Sequence, residues 1–255
     1  MVSLKSAAEL DLMRAAGRVV AETLAAVAAA ARPGVTLAEL DALAAAHIRA
    51  AGAEPSFLGY RPHASLPPFP GVLCLSVDEV VVHGIPDGRV LRGGDLLSVD
   101  CGAIVRGYHG DAAVTVEVGA VDAAGRRLAE ATREALDAAV AVMVPGARLG
   151  DVAYAVQEVA RSYGYGILAD HGGHGIGTAM HEDPHVPNTG RPGRGYRLRE
   201  GLVLAIEPMF LEGGRDDYRV LPDRWTIATA DGTRAAHFEH TVAVTADGPL
   251  VLTAA

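Results

Sequence analysis

The sequence predicts an α+β fold, an antiparallel sheet with two helix pairs packed outside it. Two observations carry this expectation. Helical and strand-like periodicities come in blocks of their own kind instead of alternating one by one, which argues against a parallel βαβ sheet. A two-helix pattern also occurs twice at one offset. Pro145-Gly146, Leu149, Val152, Val156, Arg161 and Gly164 stand 112 positions after Pro33-Gly34, Leu37, Leu40, Ala44, Arg49 and Gly52.

The first helix is expected over 6–31, Ala-rich and free of internal proline, with Gly17 its weak point and Arg32-Pro33-Gly34 its stop. Thr36-Leu37-Ala38-Glu39 has capping-box spacing, so a second helix is expected over about 37–51, closed by Gly52. A helix over about 122–143 precedes Pro145-Gly146 in the same way. After each helix pair the period becomes that of strands, over 72–76, 96–105 and 112–118, then 203–206, 225–229 and 238–244. No linker separates the two series. The expectation is one domain of two pseudo-repeated halves, about 1–120 and 121–255, sharing a sheet and a cleft.

Composition narrows the function. Of 255 residues, 50% are hydrophobic, 21% charged and 5% aromatic, a globular balance with a core of Ala, Val and Leu. A net charge of −9 disfavours nucleic acid as the main partner. Cys74 and Cys101 allow at most one bridge, so a reducing cytoplasm is expected. Glu9, Asp11 and Arg14 precede any long apolar run, unlike a signal peptide. Arg18 and Glu22 interrupt the most apolar helix below the roughly 20 residues of a membrane span, so no membrane role is expected.

Asp100 and Asp111 lie on adjacent strands joined by Arg106-Gly107, and a hairpin closing there brings them within about 8 Å, directly or diagonally opposite. They are either surface acids of a hairpin or, given their apolar neighbours, a pair that needs a cation between them. The segment 171–185 holds four of the ten histidines among four glycines. Histidine is the commonest metal ligand and near-neutral acid or base, and glycine permits close backbone approach. His181-Glu182-Asp183-Pro184-His185 matches H-E-x-x-H, but Pro184 would break the helix that such a zinc site requires. Gly173-His174-Gly175-Ile176-Gly177 lacks the third-glycine spacing and βαβ context of a dinucleotide loop. Glu207 and Glu239 each end or begin an apolar strand, where a single glutamate is ordinarily a solvated terminus.

Taken together, these segments resemble the type I methionine aminopeptidases of the pita-bread metallopeptidase fold, over nearly the whole chain. The resemblance rests on 76–86 around His83, 94–111 with its two aspartates, Gly173-His174-Gly175-Ile176-Gly177, His181-Glu182-Asp183-Pro184, Ile206-Glu207-Pro208-Met209 and Phe238-Glu239-His240-Thr241, in family order. It implies Asp100, Asp111, His174, Glu207 and Glu239 as metal ligands, Asp111 and Glu239 bridging two divalent ions. Four carboxylates and a neutral imidazole carry a charge that two such ions cancel, and oxygen-rich ligation suits Mn, Fe or Co. It implies hydrolysis by a hydroxide shared between the ions, with Glu207 among the catalytic residues. His83 and His181 are implied to contact substrate and oxyanion, and Tyr60, Cys74, Met180 and Trp225 to line a methionine pocket.

By the same resemblance, the substrates are N-terminal peptides of nascent proteins with small second residues, the ribosome is a candidate partner, and the enzyme is a cytoplasmic monomer. Phe57 departs from the pattern, falling where a small residue or Cys is expected, and prolines 62, 67, 68 and 70 suggest a short insertion. The expectation is that this insertion leaves the Phe57 ring beneath a loop, outside the pocket. An X-Pro aminopeptidase or dipeptidase on the same fold is the nearest rival, but those relatives carry a large N-terminal domain and only about 80 residues precede His83. A non-catalytic pita-bread binding module would be expected to lose ligands. The 26 positions from His181 to Glu207 leave no room for a type II helical insertion, and no N-terminal zinc-finger extension is expected.

Overall fold

The structure, a computed structural model, describes residues 2–254. In chain order its elements are α1 (Ala7–Ala30), α2 (Leu37–Ala50), β1 (Glu54–Pro55), β2 (Leu73–Val77), β3 (Val80–Val82), β4 (Leu96–Val105) and β5 (Tyr108–Glu117). There follow α3 (Ala123–Ala141), α4 (Leu149–Tyr163), β6 (Gly166–Ile167), β7 (Gly172–Gly175), β8 (Glu182–Pro187), β9 (Val203–Ile206) and β10 (Met209–Leu211). The chain ends with β11 (Tyr218–Val220), β12 (Ile227–Thr229), β13 (Ala235–His237), β14 (Glu239–Thr245) and β15 (Gly248–Val251). The main antiparallel sheet runs β1-β4-β5-β14-β9-β7-β8, with β2 on β4 and β15 on β14, and two three-stranded sheets, β13-β10-β6 and β11-β12-β3, flank it.

Each helix pair covers its own part of the sheet because its apolar residues share one face. Val20, Val27, Leu40 and Ile48 of α1 and α2 join Leu73, Leu75, Leu97 and Val99 in one core. Leu128, Leu136, Val152 and Val156 of α3 and α4 join Leu204, Phe210 and Val242 in another. Each such side chain contributes roughly 1.5–3 kcal/mol on burial. The helix starts follow their side chains. Glu39 Oε2 accepts from Thr36 N at 2.8 Å while Thr36 Oγ1 accepts from Glu39 N at 3.2 Å, the expected capping box. Backbone conformations also match at the offset of 112, with φ of 94° at Gly34 and 96° at Gly146, and of 70° at Gly52 and 78° at Gly164.

Two departures have physical causes. The strand expected from 225 begins at Ile227, because Asp223 Oδ1 accepts from both Trp225 N (2.8 Å) and Thr226 N (2.7 Å) and holds them in a turn. Strands β7 and β8 were not expected, since glycine and proline weaken any strand signal. Glycine is needed in β7 for close approach: a Cβ on Gly173 would lie 2.0 Å from the Ala205 carbonyl oxygen of β9.

Gly17 proves more than a weak point in α1. A Cβ there would stand 2.1 Å from the Leu252 carbonyl oxygen, and the backbone at Gly17 also crosses β5 at Gly110. Alanine normally favours a helix over glycine by about 1 kcal/mol. Here Gly17→Ala is expected to destabilise the protein by about 1–2 kcal/mol, because overpacking against backbone outweighs that gain. Urea denaturation measures it, and a stabilised variant would show that 252–253 moves aside freely.

Candidate metal centre

The site lies where strands from the two halves of the sequence meet. β5 and β14 pair over only two positions, Glu239↔Ala113 and His240↔Ala112. Threonine hydroxyls extend the ladder on both sides. Thr241 Oγ1 accepts from Asp111 N at 3.0 Å and donates to Asp111 O at 2.8 Å, while Thr115 Oγ1 accepts from His237 N at 3.0 Å and donates to His237 O at 2.9 Å. In the β4–β5 hairpin both turn residues, Arg106 (φ 49°) and Gly107 (φ 82°), are left-handed, and the resulting register sets Asp111 opposite Gly102 and Asp100 opposite Ala113. The two aspartates are thus diagonal neighbours. Glu207 follows β9, which stops where Pro208 offers no N–H, and Asn188 Nδ2 donates to its carbonyl at 2.9 Å.

Asp100, Asp111, His174, Glu207 and Glu239 line one cavity of about 240 Å³ together with His83 and His181. Donor atoms of Asp111, His174 and Glu239 lie within 4.8 Å of one another, as do those of Glu207, His237 and Glu239. Glu239 belongs to both trios, and Asp100 to neither. His237 is the residue that sequence reasoning left without a role, although it stands two positions before Glu239.

Burial and mutual repulsion disfavour negative charge here. Burial pushes the Asp100 carboxyl up to about 7, and burial with neighbouring carboxylates raises Asp111, Glu207 and Glu239 well above their usual range. The imidazoles are held neutral by burial, at about 3 for His174 and His237 and about 4 for His83. His174 Nδ1 lies 2.9 Å from the Gly175 carbonyl, which can only accept, so Nε2 carries the free lone pair. Among the described residues, the buried side-chain polar atoms without a hydrogen-bond partner are Asp100 Oδ1, Asp111 Oδ1, His237 Nε2 and Glu239 Oε1. The three carboxylates line this cavity, and His237 Nε2 faces two of its acids, Glu207 and Glu239. Orphaned carboxylate oxygens beside the free lone pair of His174 Nε2 are a donor set that fits divalent cations.

His181 stands at the rim with its Nδ1 2.7 Å from the Tyr60 hydroxyl, and its ring is stacked on Tyr60 and 4.1 Å from that of His174. His83 adopts φ 58° and meets Trp225 edge-on at 6.2 Å. A left-handed non-glycine residue costs about 1–3 kcal/mol and is commonest at functional sites. Beside the carboxylates an apolar cluster joins Tyr60, Cys74, Met180 and Trp225, as the sequence suggested, and adds Phe57 and Phe69. Phe57 departs from the expectation in one respect: it packs with Phe69 and Leu66 of the Pro-rich segment and also lines the cavity. The Pro-rich segment supplies wall instead of displacing it, since Trp225 Nε1 donates to Pro67 O at 2.9 Å and Phe69 packs edge-on against Trp225.

A hydrolase working through divalent cations is the class that such a cleft, at the centre of a pita-bread sheet, defines. The model of metallopeptidase family M24 matches residues 11–246. Methionine aminopeptidase 1 of Mycobacterium tuberculosis is 54% identical, over 99% of this chain and 95% of its own, and the methionine aminopeptidase of Clostridium acetobutylicum is 47% identical over 99% of both. A crystal structure of methionine aminopeptidase from Thermotoga maritima superposes with a TM-score of 0.96 at 42% identity, covering 100% of both chains. The prolidase of Pyrococcus furiosus, with a TM-score of 0.79 at 23% identity and 65% of its chain covered, shares the fold. The chain therefore belongs to metallopeptidase family M24 and, within it, to the methionine aminopeptidases. It is a metal-dependent aminopeptidase.

Proposed function

We propose that this enzyme removes the initiator methionine from nascent polypeptides with small second residues. Two divalent ions of the Mn, Fe or Co type would be held by Asp100, Asp111, His174, Glu207 and Glu239, with Asp111 and Glu239 bridging. The observation that carries this reading is the convergence of the orphaned carboxylate oxygens of Asp100, Asp111 and Glu239 on one cavity whose wall is otherwise largely apolar. When bound, divalent ions there would supply Lewis-acid polarisation of the scissile carbonyl and an acidified water as nucleophile. The chain's own residues do the rest. Tyr60 Oη and His181 Nδ1 share a hydrogen bond, and in the tautomer in which the hydroxyl donates, Nε2–H is left to stabilise the developing oxyanion. His83, neutral and fixed against Trp225, orients the peptide. Glu207, beside His174, can take and return a proton during attack.

The pocket of Phe57, Tyr60, Phe69, Cys74, Met180 and Trp225 suits a flexible thioether. The chain acts as one catalytic unit of two pseudo-repeated halves, 1–120 and 121–255, each supplying ligands. Cys74 and Cys101 are buried free thiols, which supports action in a reducing cytoplasm. No described helix is long and apolar enough to cross a membrane. We read the enzyme as a monomer, with the ribosome, where new N-termini emerge, as a partner.

The test is digestion of Met-Ala-Ser, Leu-Ala-Ser and Ala-Pro-Ala peptides with Mn or Co and with chelator. Release of methionine alone, and only with metal, is expected; cleavage of the proline peptide instead would refute the reading. With Phe57 in the wall, Phe57→Ala is expected to lower kcat/KM for Met-Ala-Ser about tenfold, mostly through KM, and to narrow discrimination against leucine. Unchanged constants for both peptides would remove Phe57 from the pocket.

A further inference from the structure

His237 is a buried imidazole beside the carboxylates for which the reading above has no use. It ends β13, is 2% exposed, and its backbone is held from both sides by the Thr115 hydroxyl. Its Nε2 has no hydrogen-bond partner, yet lies 3.7 Å from Glu207 Oε2 and 3.8 Å from Glu239 Oε2. Those separations exceed the roughly 2.7–3.2 Å of an N–H···O hydrogen bond. They suit two donors that share one ion, because ligands at about 2.0–2.2 Å from a common cation stand roughly 3–4 Å apart.

His174 provides an internal comparison. Its Nε2 lies 3.7 Å from Asp111 Oδ2 and 3.9 Å from Glu207 Oε1. Glu207 thus stands between two imidazoles, one facing each of its oxygens.

We propose that His237 is a sixth metal ligand, giving Nε2 to the ion that lies between Glu207 and Glu239, so that the centre has two imidazole donors and not one. This inference rests on the ligand assignment above. A second imidazole raises affinity for Co, Ni and Zn more than for Mn, since nitrogen donors favour the later ions of the first row. The rival role for His237 is positioning, an N–H donated to Glu207 or Glu239 after a small shift. Glutamine at this position keeps a donor and removes the imidazole, so His237→Gln separates the two roles.

The experiment uses the full chain loaded with Co. Proton NMR then resolves hyperfine-shifted exchangeable N–H signals from coordinated imidazoles. Two are expected in the unaltered protein and one in each of His237→Gln and His174→Gln. Calorimetric titration with Co should show one of two sites weakened about tenfold or more in His237→Gln. Thermal unfolding of the metal-free proteins checks that the variants fold.

A single signal that survives His237→Gln and disappears in His174→Gln overturns the inference and leaves the other five ligands standing. Wild-type affinity and an unchanged spectrum in His237→Gln overturn it equally. Absence of any imidazole signal from Co-loaded unaltered protein would bring down the ligand assignment as well.

Discussion

Replacing Glu239 by alanine is expected to abolish peptide hydrolysis and to weaken metal binding by at least about 100-fold at one site, with measurable loss at the other. Glu239 is 2% exposed, belongs to both donor trios, and carries one of the orphaned oxygens. Its removal leaves neighbouring cations under-neutralised in a medium that screens charge poorly. Even residues that only orient ligands are worth 10–100-fold in affinity, so loss of a shared ligand should exceed about that range. Calorimetry and metal analysis of the purified variant measure this. Two ions bound at wild-type affinity would remove Glu239 from the ligand set.

His181→Ala should act on rate and not on metal. Its ring stacks on Tyr60 with centroids 5.3 Å apart, and its Nδ1 is held by the Tyr60 hydroxyl. That pairing pre-orients Nε2–H at little entropic cost. Deleting one preorganised donor to a developing oxyanion lowers kcat by about 10²–10³, roughly 3–4 kcal/mol. We therefore expect that loss with KM and metal content little changed. Tyr60→Phe, which keeps the stack and deletes the hydroxyl, should give a smaller fall, about tenfold. A metal-free His181→Ala protein would instead make His181 a ligand.

The Asp100–Asp111 geometry was readable from sequence because a two-residue turn at Arg106-Gly107 leaves little freedom of register. The four helices were readable because Ala-rich runs end at Pro-Gly and Gly signals. The strands that carry His174 and follow His181 were not, because their glycines answer to backbone approach from a neighbouring strand, which no local pattern records. That Phe57 would also line the cavity was not readable for a related reason. The loop beside it is held by long-range contacts such as the Trp225 indole on Pro67 O, between residues 158 positions apart. His237 carried no signal beyond its proximity to Glu239, and only its unpartnered nitrogen distinguishes it from a packed core histidine.

The short junction of β5 with β14 would tie the stability of the protein to its metal supply. Two ladder pairs and two threonine hydroxyls join main-sheet strands from the two halves of the chain, and burial with neighbouring acids disfavours charge on the carboxyls on either side. Ions that bind the native chain but not the unfolded one add about 2.7 kcal/mol at a hundredfold excess over Kd. A cell short of the metal would hold a protein that is inactive and also easier to open along its midline, and thus more exposed to proteolysis. Turnover of the apoprotein would then keep the amount of enzyme in step with the ion that it needs.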